Sequence, residues 1–212
     1  WKAKFRLKNE KTILSFHARS FSLSELLDAI RNMKMENCYA VKVAAPVENS
    51  EQVLNLLNLV DGSSNVIVVP IGKYGEIARV LYKRIGSMLT YCYVDTPTGE
   101  GQIQIEEAVE WRINECEDHQ VYCIVGDPVA HSKSPQLFNS VFRFLNLKAT
   151  FVRLPLSDGK FLKEFVKRFR IRGCSVTIPH KVSAVETCDW VSDEVRGSGA
   201  ANTLLVDGSI KG

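Results

Sequence analysis

Two serines stand at a predicted strand-to-helix turn that suits an anionic ligand. The apolar run 121–125 predicts a buried strand, and a glycine and a proline end it. Ser132 and Ser134 follow, just ahead of Pro135, which suits the first turn of a helix. Hydroxyl groups and free backbone amides at such a turn favour an anion. The alternative for Ser134 is structural, in which its side chain only caps the helix.

A lysine and a histidine on neighbouring predicted strands could carry out carbonyl chemistry. Lys42 lies between two alanines on one face of the run 39–46, and that face then needs a roomy, polar surrounding. His17 falls near the C-terminal end of the preceding run, 12–18. A lysine whose charged form is disfavoured can form an imine with a ketone, and imidazole can move the α-proton. The alternatives are a structural lysine paired with an interior acid and a hydrogen-bonded core histidine.

Strands and helices alternate through the first part of the chain. Apolar runs predict strands at 12–18, 39–46, 65–72 and 88–94, and helical patterns follow at 22–33, 50–60, 75–84 and 105–116. Such repeats indicate parallel β/α architecture. Four units form either a small open sheet or half of an eightfold barrel, a fold that takes about 250 residues. The position of Lys42 favours the half barrel, because barrel enzymes keep their polar chemistry at the inner, C-terminal end of the strands.

Composition places few demands on partners. The chain has 212 residues, of which 45% are hydrophobic and 24% charged, and its net charge is +3. These values are typical of globular proteins and give no reason to expect nucleic acid or a membrane as partner. The six cysteines form no C-x-x-C pair, so we expect reduced thiols, no metal site and a reducing compartment.

Three motifs in order give the C-terminal part a family resemblance. The turn at 121–135, the segment SVTIPHK at 175–181 and the segment GAANT at 199–203 together resemble the substrate domain of shikimate dehydrogenases, from about residue 120 onward. The resemblance implies that Ser132 and Ser134 bind a substrate carboxylate. It also implies that Thr177, Lys181 and Asn202 bind ring hydroxyls, with Lys181 assisting proton transfer at the reduced carbonyl. A turn-forming role remains the alternative for Asn202.

The N-terminal part, about residues 10–116, resembles type I 3-dehydroquinate dehydratases. His17 and Lys42 are followed by the helical stretch 78–87 and the loop TPTGEGQ at 96–102. The resemblance implies an imine on Lys42, proton transfer by His17 and a carboxylate clamp by Arg79. The loop would close over the substrate with the side chains of Thr98 and Gln102. The chain departs from the family at two places. Residue 18 is an alanine where aspartate or asparagine is usual, and the loop has TGEGQ where the family tends to SAPGQ.

Together the two resemblances predict a bifunctional enzyme of the shikimate pathway in the cytoplasm, or in the plastid of a plant. The predicted fold is α/β: the C-terminal half of a (β/α)8 barrel at 1–118, then a parallel or mixed-sheet substrate-binding domain at 119–212. The implied substrates are 3-dehydroquinate and 3-dehydroshikimate, with shikimate as product and NADP as cofactor. No NADP-binding motif and no early barrel strands occur in the 212 residues, so we expect this chain alone to be inactive in both reactions.

Two other functions fit parts of the pattern. A non-catalytic sensor of quinate or shikimate could use the same domains, although it has no need of an imine-forming lysine. An aldolase-like Schiff-base barrel would explain His17 and Lys42 but not the Ser-Lys-Ser-Pro half.

Overall fold

The computed structural model describes residues 12–60 and 65–212; residues 1–11 and 61–64 of the first predicted domain lie outside it. The fold is α/β, as predicted. The strands are β1 (Ile13–His17), β2 (Ala40–Pro46), β3 (Val66–Ile71), β4 (Gln120–Gly126), β5 (Ala149–Pro155), β6 (Ile171–Val176), β7 (Thr203–Val206) and β8 (Ile210–Lys211). The helices are α1 (Leu23–Lys34), α2 (Ser50–Leu57), α3 (Glu76–Val80), α4 (Ile105–Glu110), α5 (Ser134–Phe144), α6 (Leu162–Arg168), α7 (Ser183–Thr187) and α8 (Asp193–Ser198).

The first sheet is parallel and has two different faces. Its order is β1-β2-β3, with Ser15 opposite Lys42 and Lys42 opposite Ile67. Val41 and Val43 belong to the large hydrophobic core beneath the helices. The alanines on either side of Lys42 belong to a separate small cluster on the other face. The predicted assignment of the two faces of β2 is therefore confirmed.

The predicted fourth strand at 88–94 is wrong. Within the described ranges this segment forms only an isolated bridge between Tyr93 and Gln104. The Ser87 hydroxyl accepts the hydrogen bond of Val68 N and itself donates to the Leu89 carbonyl, so a side chain occupies the place of a backbone partner beside β3. Sheet pairing is thereby limited to the bond from Met88 N to the Val66 carbonyl.

The second and third predicted helices and the one after the loop are shorter than their patterns indicated. α2 ends at Leu57 and α4 at Glu110, and α3 spans only Glu76–Val80 before a 3-10 turn at Tyr82–Ile85. Ser22 caps α1, because its side chain accepts a hydrogen bond from Glu25 N. No helix in the described ranges is long and apolar enough to cross a bilayer.

The second sheet is mixed. Its order is β5-β4-β6-β7-β8, in which β4 pairs in parallel with both β5 and β6, and β7 and β8 are antiparallel. Parallel pairing places the C-terminal ends of β4 and β6 at the same edge, where ligands bind in α/β sheets. The segments that carry Ser132, Ser134, Thr177 and Lys181 start from these two ends, and Asn202 directly precedes β7.

One hydrophobic core joins the two parts of the chain. It runs without a break from Leu26 on α1 to Ile210 on β8 and includes the fully buried Phe165 and Phe169 of the second part. Each such aromatic side chain contributes roughly 1.5–3 kcal/mol through burial. Arg84 of the first part adds hydrogen bonds between the two parts, because its guanidinium donates to four backbone carbonyls: those of Cys116, His119, Phe169 and Arg170.

Candidate functional site

The lysine and histidine singled out in the sequence meet on the open face of the first sheet. Lys42 Nζ lies 3.3 Å from His17 Nε2, within hydrogen-bond reach. In the sheet Lys42 stands opposite Ser15, so its long side chain leans toward the C-terminal end of β1, where His17 is the last residue. Lys42 is half-buried and His17 is exposed, so the imidazole is accessible to solvent.

The surroundings of Lys42 lower its pKa below the usual value for a lysine. Partial burial is the larger cause, and the positive charge of Arg79 is the second. The ammonium also lies over the ring of Tyr91, 4.4 Å from its centroid. Tyr91 was missed at the sequence level, because the apolar run around it indicated only a strand. A free amine is the nucleophilic form of lysine, so these surroundings favour attack on a carbonyl group.

Arg79 is buried beside the pair. It is 4% exposed, and burial lowers the pKa of its guanidinium to about 10. Its Nε donates to the Pro70 carbonyl at 2.8 Å, which fixes the side chain to the end of β3. Its two terminal nitrogens make no hydrogen bond to the residues of 12–60 and 65–212. They are free to bind a carboxylate in a fork.

The loop at 96–102 is held together by the side chain of Gln102. Its Oε1 accepts hydrogen bonds from the backbone amides of Thr98 and Gly99, at 2.7 and 3.2 Å, and from the Thr98 hydroxyl. Gly101 has a φ of +80°, and a Cβ there would lie 2.4 Å from the Gly72 carbonyl oxygen. The structure brings Thr98 and Gln102 together on a loop packed against the end of β3. It shows no hydrogen bond from either of them to Lys42.

Backbone hydrogen bonds hold the segments of Thr177, Lys181 and Asn202 together at one edge of the second sheet. Thr177 N donates to the Val125 carbonyl at the end of β4, and Val176 N to the Asn202 carbonyl. Ala201 N donates in turn to the Lys181 carbonyl at 2.8 Å. Thr177 is half-buried, and the side chains of Lys181 and Asn202 are exposed to solvent at this edge.

The two serines stand at the start of α5 without acting as caps. Ser134 N donates to the Ser132 hydroxyl at 3.2 Å, and no side chain caps the helix. The Ser134 hydroxyl makes no hydrogen bond within the described residues, so the capping alternative for it is wrong. Gly126 allows the end of β4 to approach the segment of Thr177, since a Cβ there would lie 2.4 Å from Thr177 Cγ2. The arrangement of short hydroxyls, an amide and an ammonium suits a hydroxylated carboxylic acid.

An ion pair, supported by a tyrosine hydroxyl, also links the two parts of the chain. Lys73 Nζ lies 2.9 Å from both carboxylate oxygens of Asp127, and the Tyr74 hydroxyl donates to Asp127 at 2.8 Å. Burial by itself raises the pKa of Asp127, but the two hydrogen bonds outweigh it, and the pKa is lowered. Within the ranges described, no group of three or more His, Cys, Asp or Glu side chains is arranged to hold a metal ion.

Comparisons with known proteins give two family matches. The model for type I 3-dehydroquinase matches residues 2–112, and that for the shikimate dehydrogenase substrate binding domain matches residues 124–204. The chloroplastic bifunctional 3-dehydroquinate dehydratase/shikimate dehydrogenase of Arabidopsis thaliana is 28% identical over 204 residues, covering 92% of this chain and 34% of the relative.

Two bacterial relatives match different shares of the chain. The shikimate biosynthesis protein AroDE of Chlamydia pneumoniae is 28% identical over 204 residues, covering 92% of this chain and 42% of the relative. The shikimate dehydrogenase (NADP(+)) of Syntrophobacter fumaroxidans is 43% identical over 90 residues, covering 42% of this chain and 32% of the relative. The chain therefore spans only 32%, 34% and 42% of the length of these three relatives.

Proposed function

Because this chain belongs to the type I 3-dehydroquinase family and continues into a shikimate dehydrogenase substrate-binding domain, we propose that its protein catalyses two consecutive steps of the shikimate pathway. The first step is the dehydration of 3-dehydroquinate, and the second is the NADP-dependent reduction of 3-dehydroshikimate to shikimate. The single observation that carries the proposal is the 3.3 Å approach of Lys42 Nζ to His17 Nε2 beside the open guanidinium of Arg79.

The dehydration needs an acidic α-carbon and a way to expel a β-hydroxyl group. The Lys42 amine adds to the ketone carbon, and loss of water gives a protonated imine. His17 removes the α-proton, the electron pair of the C–H bond moves toward the imine nitrogen, and the resulting enamine expels the hydroxyl, which leaves as water after taking a proton from His17. Water then hydrolyses the imine, which releases the product ketone and restores Lys42.

The remaining predicted residues hold the substrate during this step. Arg79 clamps the carboxylate with its two terminal nitrogens, which make no hydrogen bond to any residue that the structure describes. The Tyr91 ring lies under the nitrogen that bears positive charge in the imine, where a π-face stabilises a cation. Thr98 and Gln102 close the site on the loop that packs on Gly72. Closure of such a loop excludes water from the imine.

In the second domain, Ser132 and Ser134 bind the carboxylate of 3-dehydroshikimate at the start of α5. Thr177 and Asn202 bind ring hydroxyls, and Lys181 delivers a proton to the carbonyl oxygen that becomes a hydroxyl. The cofactor, when bound, supplies the hydride. In the described part of the chain no strand leads through a G-x-G-x-x-G turn into a helix, so we assign none of these residues to NADP.

The sensor and the aldolase-like barrel are not favoured by any observation. A sensor does not require the close approach of an amine with a lowered pKa to an imidazole. The aldolase-like alternative leaves the match of residues 124–204 unexplained.

Borohydride reduction tests the dehydratase. The full-length protein is incubated with 3-dehydroquinate and sodium borohydride, which reduces an imine to a stable secondary amine. We expect a mass increase on the peptide that contains Lys42 and loss of dehydratase activity in Lys42→Ala by at least about a thousandfold. Lys34→Ala, an exposed lysine in the last turn of α1, is the matched control and should trap substrate normally. An adduct that persists in Lys42→Ala would contradict the mechanism.

Shikimate binding tests the second site separately. Calorimetric titration of the full-length protein should show affinity reduced about tenfold or more in Lys181→Ala and in Ser134→Ala, because each removes one polar contact to the ligand. Lys148→Ala alters an exposed lysine next to β5 and should bind shikimate like the wild type. Unchanged affinity in both site variants would place the ligand elsewhere.

A further inference from the structure

One arginine of the second sheet reaches into the first part of the chain. Arg153 lies on β5 and is only 8% exposed. Its Nε donates to Oε1 of Glu76 at 2.6 Å, and its Nη2 lies 3.4 Å from Oε2 of Glu107. Its guanidinium also lies over the ring of Trp111, 4.8 Å from the centroid. Two carboxylates and an aromatic face thus hold this cation in one orientation.

The carboxylate that Arg153 binds most closely begins the helix that carries Arg79. Glu76 is the first residue of α3, and Arg79 follows three positions later on the same five-residue helix. The turn before α3 is equally constrained, because a Cβ on Gly75 would lie 2.7 Å from the Cβ of Pro70. The helix is thereby held at its start by a close backbone contact with the end of β3 and by an ion pair to β5.

The ion pair is buried enough for its loss to move the helix. The side chains of Arg153 and Glu76 are 10% and 13% exposed. Without the arginine, the Glu76 carboxylate would remain buried with the like charge of Glu107 nearby and no cation to balance it. The carboxyl group must then take up a proton or move toward solvent. Movement of Glu76 would displace the start of the helix that carries Arg79.

We propose that Arg153, a residue of the dehydrogenase-type domain, is a positioning residue for the dehydratase site: through Glu76 it orients α3 so that the terminal nitrogens of Arg79 meet the substrate carboxylate. This inference rests on the proposed dehydratase function. It makes the second domain a structural part of the first active site, in addition to its own role in binding substrate.

Steady-state dehydratase kinetics of the full-length protein test the proposal. We expect Arg153→Met and Glu76→Gln each to raise the KM for 3-dehydroquinate by about tenfold with a much smaller change in kcat, since the chemical groups His17 and Lys42 stay in place. Arg153→Lys should restore part of the affinity, because it returns the charge without the fork. In an Arg79→Met background, Arg153→Met should raise KM no further.

The matched control is another arginine that links the two parts of the chain without contacting α3. Arg168 Nη2 donates to the Leu57 carbonyl at the end of α2. Arg168→Met therefore also removes a hydrogen bond between the two parts of the chain, but one that does not involve α3. Its KM should stay within about twofold of the wild type. If Arg153→Met does not fold, the isosteric Glu76→Gln and the charge-keeping Arg153→Lys decide the question.

Wild-type KM in Glu76→Gln, or an equal rise of KM in Arg168→Met, would overturn the proposal. A rise of KM on Arg153→Met that persists undiminished in the Arg79→Met background would also overturn it, because Arg153 would then act by another route. A wild-type protein that forms no borohydride-trapped adduct would instead overturn the dehydratase function on which the inference rests.

Discussion

The reactivity of the Lys42 amine depends on its own burial and on one neighbouring residue, Arg79. Lys42 is only half-buried, so burial alone does not hide it from solvent, yet both burial and Arg79 act against its charged form. In the proposed mechanism Arg79 would therefore have two roles: it would clamp the substrate carboxylate and keep the neighbouring lysine ready to attack a carbonyl.

The effect of Arg79 on Lys42 can be measured directly. A lowered pKa means that the free amine is present at lower pH than the usual 10.5 for lysine. Removing the like charge in Arg79→Met should raise the pKa of Lys42, so that acylation of Lys42 requires higher pH. Burial is the larger cause, so part of the lowering should remain. The measurement is the pH dependence of Lys42 labelling by mass spectrometry.

Arg31→Met is the control for that experiment, since Arg31 lies exposed on α1 and pairs with Asp28. It should leave the labelling curve unchanged. A labelling midpoint that is the same in Arg79→Met and wild type would show that Arg79 does not act on the lysine.

At the level of elements, the loop at 96–102 is constrained where it meets β3. Gly101 combines a left-handed backbone with a contact to the Gly72 carbonyl oxygen, and Gly72 N donates to the Glu100 carbonyl. A side chain at 101 would therefore be strained twice, by its φ and by a backbone atom that cannot turn away. The loop that carries Thr98 and Gln102 depends on this contact for its place.

We expect Gly101→Ala to lower dehydratase kcat/KM of the full-length protein by about tenfold or more, because the loop can no longer close on the site. Gly99→Ala is a control within the same loop, as a Cβ there meets only Ile71 Cγ2 at 3.9 Å, an ordinary contact. Its kinetics should match those of the wild type. An equal loss of kcat/KM in the two variants would mean that any substitution in the loop lowers activity, and that the contact with Gly72 is not the cause.

At the level of the whole molecule, the two parts are joined by a shared core and by polar contacts at several points. Asp127 follows β4 and binds Lys73 and Tyr74, which follow β3. Asp127 lies in the turn that leads to Ser132. Lys73 directly follows Gly72, which contacts the loop at 96–102. The ion pair between Asp127 and Lys73 therefore connects the neighbourhoods of the two candidate sites.

The pH dependence of stability tests this connection. The pKa of Asp127 is lowered in the folded protein, so its ion pair stabilises the fold at pH values above the unfolded pKa of about 3.9, and this contribution is lost as pH falls through the lower folded value. Asp127→Asn should thus be destabilised by roughly 1 kcal/mol near pH 7, a modest amount because Lys73 is half exposed. The difference from wild type should shrink below about pH 4.

Urea denaturation at both pH values provides the measurement. Asp207→Asn is the control, because Asp207 pairs with Lys211 within one hairpin at the surface and should contribute little at either pH. A difference between Asp127→Asn and wild type that grows at low pH would contradict the assignment of the ion pair.

The sequence by itself determined the α/β class, the two faces of β2 and the placing of His17 and Lys42 on neighbouring strands. These follow from periodicity and from short motifs, in which each position is fixed by its neighbours along the chain. It was wrong about the strand at 88–94, because a run of apolar residues cannot reveal that the Ser87 hydroxyl takes a backbone partner's place. It also gave α2, α3 and α4 too great a length, since helix ends depend on what packs against them.

Only the tertiary structure decided which distant groups act on one another. Nothing in the sequence around Arg153, Tyr91 or Asp127 indicates that they face Glu76, Lys42 and Lys73, since the partners are separated by 77, 49 and 54 positions. The partial burial of Lys42, and with it the lowered pKa of its amine, likewise depends on the tertiary packing around it. Charge interactions and desolvation act through space, and the order of residues along a chain does not fix distances in space.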